Sequence, residues 1–188
     1  FAIHSFNNAN TPLLSEIVSL PNHKTISSIS IKTKLAQFQK TETVEFFKVK
    51  TLEGIEMDGW MVKPRNFDPA KKYPVLFSVY GEPSNSTVTD TYGRGQISLY
   101  EGDIRSDGYI QISVDGRGSS LPKGREWRKS IYRKIGRLNI SDQAMAAKEI
   151  LKWPFIDPER VAVWGSSGGG STTLNLMFQY PEIYKTGI

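Results

Sequence analysis

Residues 165–169 read Gly-Ser-Ser-Gly-Gly, a G-x-S-x-G frame centred on Ser167. The apolar run Val161–Trp164 precedes it, and the helix-compatible stretch STTLNLMFQY follows. A serine in this strand-turn-helix setting is placed to act as a nucleophile. The reasons are steric and electrostatic. The turn is so sharp that side chains two positions to either side of the serine would strike the strand and the helix, hence Gly165 and Gly169. The hydroxyl is lifted to the end of the strand, beside the first turn of a helix. There, backbone N–H groups without helical partners and the helix dipole favour the negative charge of a tetrahedral intermediate. Ser166 does not fit, because its frame would require glycine where Trp164 stands.

The bare pattern arises by chance in about one chain in eight of this Gly and Ser content, so its context carries the reading. Two other glycine-loop chemistries fail. A phosphate-binding loop would need Lys after the last glycine, but Ser171 and Thr172 follow Gly170. A dinucleotide fingerprint beginning at Gly168 would need Gly where Thr173 stands. A Gly-rich turn without chemistry stays open as the alternative.

A serine hydrolase also needs a histidine base and an acid to orient it. The two histidines, His4 and His23, stand far upstream and read as ordinary strand and turn residues. Nucleophile-elbow hydrolases place Ser, then Asp or Glu, then His along the chain. The 188-residue sequence ends 21 residues after Ser167. The catalytic Asp and His are therefore expected beyond Ile188, and the chain is expected to be a piece of a longer protein. Its opening, Phe-Ala-Ile-His, without an initiator Met or a signal-like segment, agrees with a mature or excised piece.

The elements that must position Ser167 follow from residue patterning. FAIHSF and LLSEIVSL read as two strands joined by a turn at Asn7–Pro12, with a further turn at Pro21–Lys24. A polar, helix-compatible stretch covers 31–43, and a domain boundary is placed near Gln39. EFFKVKT and IEMDGWMVKP read as a hairpin around Leu52-Glu53-Gly54. VLFSVY is an apolar run suited to a strand buried on both faces. Arg94–Ser106 is a weak helix candidate, and YIQISVD is the next strand. SDQAMAAKEILKW reads as a helix capped by Ser141 or Asn139, with Ala144, Ala147, Ile150 and Leu151 as its apolar stripe and Pro154 as its stop. Asp157–Arg160 reads as a turn before strand RVAVW. Strands alternating with helices give an α/β class with a mostly parallel sheet.

Composition narrows the chemistry further. With no cysteine, the chain has no disulfide scaffold, Cys-based zinc site or cysteine nucleophile. No apolar run approaches the roughly 18 residues of a membrane span. The net charge is +5, and the densest basic stretch is Pro122–Arg137, with seven basic residues and one acid. Trp127 and Tyr132 within it could stack on bases. Without a nucleic-acid motif beside it, the stretch reads as a solvated loop and helix face, and no nucleic-acid partner is expected.

KKYPVLFSVYGEP, ISVDGRGS, RKIGRLNISDQ, FIDPERVAVWGSSGGG and YPEIYKTGI, in this order, resemble the first half of the catalytic domain of the prolyl oligopeptidase family, in its dipeptidyl peptidase IV-like branch. NTPLLSEIVSLPNHK resembles the last stretch of that branch's β-propeller. The resemblance implies residues 1–39 at the end of a propeller and 40–188 as the N-terminal half of an α/β-hydrolase domain. It implies a serine peptidase with Ser167 as nucleophile. Tyr80 matches the oxyanion-hole tyrosine, beside the backbone N–H of Gly168; a packing role for Tyr80 is the alternative. Asp115 and Arg117 match a segment of loop architecture. A peptide substrate, no cofactor and no metal follow, with a homodimer and a periplasmic or extracellular setting as family expectations. The branch usually reads G-W-S-Y-G-G at the elbow, so Gly168 is expected to leave open a pocket wall that an aromatic ring builds for proline. A non-catalytic hydrolase-fold scaffold for protein binding is the second reading, and an esterase the third.

Overall fold

A computed structural model describes residues 1–29, 44–94, 97 and 100–188. The stretch 31–43 and the boundary near Gln39 lie outside the described residues. The N-terminal strands β1 (Ala2–Asn8), β2 (Thr11–Val18) and β3 (Thr25–Ser28) form an antiparallel sheet in that order. The first turn is confined to Ala9 and Asn10, so that Asn7 and Asn8 lie within β1 and Thr11 and Pro12 within β2; the second falls at the expected place, and β3 is a strand that the patterning missed. The first hairpin's tip is tied to the loop that follows β6 (Tyr73–Ser78) and to the start of β4 (Val44–Lys50). Ala9 N–H donates to Asp90 Oδ1 at 2.7 Å, and Val44 N–H donates to Asn10 Oδ1 at 2.7 Å.

The second sheet contains β4 (Val44–Lys50), β5 (Glu56–Val62), β6 (Tyr73–Ser78), β7 (Ile110–Asp115), β8 (Ile156–Trp164) and β9 (Thr186–Gly187), ordered β4-β5-β7-β6-β8-β9. Strand β5 pairs antiparallel with both β4 and β7, whereas β7, β6, β8 and β9 run parallel. Gly54 closes the hairpin at φ +81, a left-handed value that suits glycine. Helices α1 (Gly124–Lys129), α2 (Leu138–Ile150) and α3 (Gly168–Gln179) complete the α/β arrangement. Val75, Phe77, Ile110, Ile112, Val161 and Val163 of the parallel strands bury against Ala144, Ala147 and Ile150 of α2 and Leu176 of α3. Tyr184 packs edge-on against Phe77, and its burial pushes its hydroxyl well above the ordinary tyrosine pKa.

Three local readings differ from the sequence expectation. The described part of Arg94–Ser106 holds a turn rather than a helix. Asp103 there accepts from Arg65 Nη2 at 2.7 Å, Ser106 Oγ at 2.8 Å and Arg105 N–H at 3.1 Å, a local side-chain alternative to helical pairing. Helix α2 begins at Leu138, ahead of both proposed caps. Asn139 Oδ1 accepts Gly136 N–H from inside the first turn instead. Strand β8 starts at Ile156 and absorbs the predicted turn. Asp157 Oδ1 accepts Glu159 N–H at 3.0 Å, and the β6·β8 register slips between Tyr73 and Val75.

Candidate active site

Ser167 lies between the end of β8 and the start of α3 with φ 57 and ψ −121. A side-chain-bearing residue in this region carries strain of about 1–3 kcal/mol, so its surroundings must hold it there. Two glycines do so. A Cβ on Gly165 would lie 2.4 Å from the Gly169 carbonyl carbon and oxygen, and one on Gly169 would lie 2.4 Å from Val79 O. Both clashes are with backbone, which cannot swing aside. The glycine frame expected from the sequence is therefore a packing necessity of the turn. The Ser167 side chain itself is exposed.

Tyr80 is fixed just beyond β6 by neighbours on both sides. Val79 N–H donates to Trp164 O at 2.9 Å, and Thr172 Oγ1 of α3 donates to Tyr80 O at 2.9 Å. Gly81 turns the chain at φ +78, where a Cβ would lie 2.9 Å from Thr172 Oγ1 and 3.0 Å from Asn139 Nδ2. Tyr80 and Ser167 line one cavity of about 300 Å³ with Trp60, Trp164, Arg94 and Gln111. Gln111 donates from Nε2 to Ser78 Oγ at 2.7 Å, and its buried Oε1 has no partner among the described residues. Arg94 donates to Thr89 and Thr91, and desolvation holds its guanidinium below the ordinary arginine pKa. The third expected site residue, Gly168, opens α3 directly after Ser167.

The loop after Tyr80 is held from β7. Asp115, 5% exposed, accepts from Thr87 N–H, Thr87 Oγ1, Val88 N–H and Ser86 Oγ. Beside it, Arg117 pairs with Asp142 of α2 at 2.6 Å and donates its own N–H to that carboxylate at 2.7 Å. That pairing raises the Arg117 pKa. Both residues thus serve loop architecture. Asp115 was legible only as part of a motif, because its partners lie 27 to 29 residues away in sequence.

One expectation is corrected. The space beside Gly168 is not open: a Cβ there would lie 2.3 Å from Glu82 Oε1, 2.4 Å from Glu82 Cγ and 2.5 Å from Glu82 Cδ. Glu82, which no motif singles out, occupies the direction a side chain at 168 would take.

The histidines stand elsewhere. His4 Nδ1 pairs with Glu16 Oε1 across β1 and β2 at 3.0 Å and holds that carboxyl below its usual range, while His23 sits in a turn at φ 51. Neither lines the cavity with Ser167. In the basic stretch, Lys123 pairs with Asp58 at 2.9 Å and caps the Trp127 ring at 4.5 Å, and Trp127 Nε1 donates to Ser119 Oγ. Trp127 therefore packs against its own fold, whereas Tyr132 is exposed. Among the described residues no three His, Asp or Glu lie close enough to hold a metal ion, and no helix is long and apolar enough to cross a membrane.

The sequence model of the prolyl oligopeptidase family matches residues 97–188. Dipeptidyl peptidase 4 of Trichophyton rubrum is 33% identical over 194 residues, covering 100% of this chain and 24% of the fungal protein. A probable dipeptidyl-aminopeptidase B of Trichophyton verrucosum is 38% identical over 130 residues, 69% of this chain and 14% of its own length. The crystal structure of Porphyromonas gingivalis dipeptidyl peptidase 4 superposes with a TM-score of 0.85 at 32% identity, over 98% of this chain and 26% of that one. An acylaminoacyl peptidase of Pyrococcus horikoshii, at 23% identity and a TM-score of 0.77 over 98% of this chain and 28% of that one, shares the fold. The chain thus spans about a quarter of the length of these full proteins. With an α/β-hydrolase sheet, a strained serine between strand and helix, and similarity to dipeptidyl peptidases along its whole length, the chain belongs to the prolyl oligopeptidase family.

Proposed function

We propose that the protein carrying this chain is a serine peptidase of the dipeptidyl peptidase type. The observation that carries the reading is Ser167 held at φ 57 and ψ −121 at the start of α3, facing the cavity it shares with Tyr80. Ser167 Oγ forms a bond to the peptide carbonyl carbon. The carbonyl oxygen, now negative, takes hydrogen bonds from the Tyr80 hydroxyl and the Gly168 N–H. The C–N bond then breaks, leaving an acyl-enzyme, and the amine departs with the proton taken from Ser167. The base that moves this proton and the acid that orients it are assigned to residues beyond Ile188, because neither histidine of the chain lines the cavity. Residues 1–39 are assigned to the end of a propeller, whose blades are antiparallel sheets like that of β1–β3, and 40–188 to the catalytic domain.

A non-catalytic scaffold would have no use for backbone strain at Ser167, and that strain favours the enzyme. The test is hydrolysis of dipeptide chromogenic amides by the full-length protein. Ser167→Ala should lower kcat by about 10⁴-fold or more. Turnover within a few-fold of wild type would overturn the proposal.

A further inference from the structure

We propose that Glu82 forms an anionic wall of the acyl-binding site and selects substrates with a basic side chain on the residue whose carbonyl Ser167 attacks. The inference rests on Ser167 being the nucleophile and adds to that reading the substrate class.

The placement is set by Gly168. Its N–H follows the nucleophile directly, so a side chain at 168 would border whatever acyl group is attached to Ser167. That side chain is missing, and the Glu82 side chain takes its direction, with Oε1, Cγ and Cδ 2.3–2.5 Å from the Cβ position. Consecutive Cα atoms are 3.8 Å apart, so Glu82 Oε1 lies within about 8 Å of the Ser167 Cα. The path that brings it there is fixed: Tyr80 O is bonded to Thr172, Gly81 is pressed on Thr172 and Asn139, and Ser84 N–H donates to Gly118 O.

The charge is unspent. Among the described residues, no Lys or Arg forms an ion pair with Glu82 and no donor bonds to its carboxylate. Glu82 is exposed. A bound peptide displaces water from its carboxylate, and a carboxylate losing solvent is disfavoured unless a cation replaces it. Apolar or acidic side chains leave it unpaired, whereas a Lys or Arg side chain, long and tipped with donors, supplies the partner. An aromatic wall would discriminate by shape. This wall discriminates by charge.

The experiment uses the full-length protein and four chromogenic amides, Ala-Lys, Ala-Leu, Ala-Pro and Ala-Glu. All four share one N-terminal amine, so only the side chain beside the scissile bond varies. Wild type should favour Ala-Lys, with Ala-Glu the poorest. Glu82→Gln should cut the Lys-to-Leu ratio of kcat/KM by about tenfold or more, as expected for losing a charge-assisted hydrogen bond. Glu82→Asp should restore part of the ratio. In wild type alone, added salt should weaken the Lys preference, a readout that needs no variant to fold. An unchanged Lys-to-Leu ratio in Glu82→Gln, or a Pro preference that survives it, would overturn the proposal. Active-site labelling of Ser167, run on the same samples, separates the outcomes. Labelled enzyme with no charge preference removes the role of Glu82 alone, and absence of label removes the nucleophile beneath it and the proposal with it.

Discussion

Ser167, Gly165 and Gly169 form one steric unit, and each substitution within it has a separable consequence. Gly165→Ala drives a methyl group into the Gly169 backbone. It should destabilise the fold by about 1–3 kcal/mol and disturb the turn, measurable as a lower midpoint in urea. The three atoms nearest to the new methyl of Gly168→Ala all belong to the exposed Glu82 side chain, which can swing away. It should leave the midpoint nearly unchanged while altering the Lys-to-Leu selectivity. Equal destabilisation by both would show that Glu82 is fixed in place. Tyr80→Phe keeps the ring and deletes the proposed oxyanion donor, so on that proposal kcat should fall by about 10²–10³-fold with folding intact. A kcat within about threefold would return Tyr80 to a packing role. The glycine frame was legible in the sequence because it obeys covalent geometry over five residues. The contact between Glu82 and Gly168 was not, since it joins positions 86 apart in sequence through the docking of a loop onto the start of a helix.

At the scale of elements, the site depends on carboxylates that tie loops to strands and helices. Asp142, 3% exposed, holds the side chain and backbone N–H of Arg117 at the start of α2. Asp142→Ala leaves that guanidinium half-buried and unpaired, and should cost about 3–5 kcal/mol in denaturant unfolding. A loss below about 1 kcal/mol would mean that water replaces the carboxylate freely. Asp103 works nearer the surface. Its hydrogen bond from Arg65 pushes its carboxyl down to about 2 from an ordinary 3.8. A depressed carboxyl stabilises the folded turn above its ordinary value and loses that contribution as pH falls towards the folded one, here between about 4 and about 2. Titration of the Asp103 carboxyl by NMR should find the low midpoint, and Arg65→Ala should bring it back towards the ordinary value. These same contacts explain where local patterning misread the chain. The apolar periodicity of α2 marks its buried stripe well, but its start is set by the Asn139–Gly136 bond rather than by a cap. At 103–107 a single aspartate outcompetes helix formation through side-chain bonds that composition does not reveal.

For the whole molecule, the alternation of apolar runs with amphipathic stretches was enough to give the α/β class. Parallel strands buried on both faces, such as β7 with all six residues buried, cannot be mistaken for half-solvated ones. Strand order was not legible, because β6 sits between β7 and β8 through long connections that leave no local trace. In the proposed mechanism residues 1–188 supply the nucleophile and the oxyanion donors, but no histidine lines the cavity with Ser167, and an unactivated serine hydroxyl is a weak nucleophile. Purified alone, this segment should show no detectable peptide-amide hydrolysis beside the full-length protein. Serine-dependent turnover near that of the full protein would mean His4 or His23 completes the site. The central claim, that Ser167 is the activated nucleophile, is tested most directly by reacting the full-length protein with a fluorophosphonate and mapping the adduct by mass spectrometry. A single adduct on the peptide containing Ser167, lost in Ser167→Ala, is the predicted result; an adduct on another residue, or labelling that persists in Ser167→Ala, would contradict it.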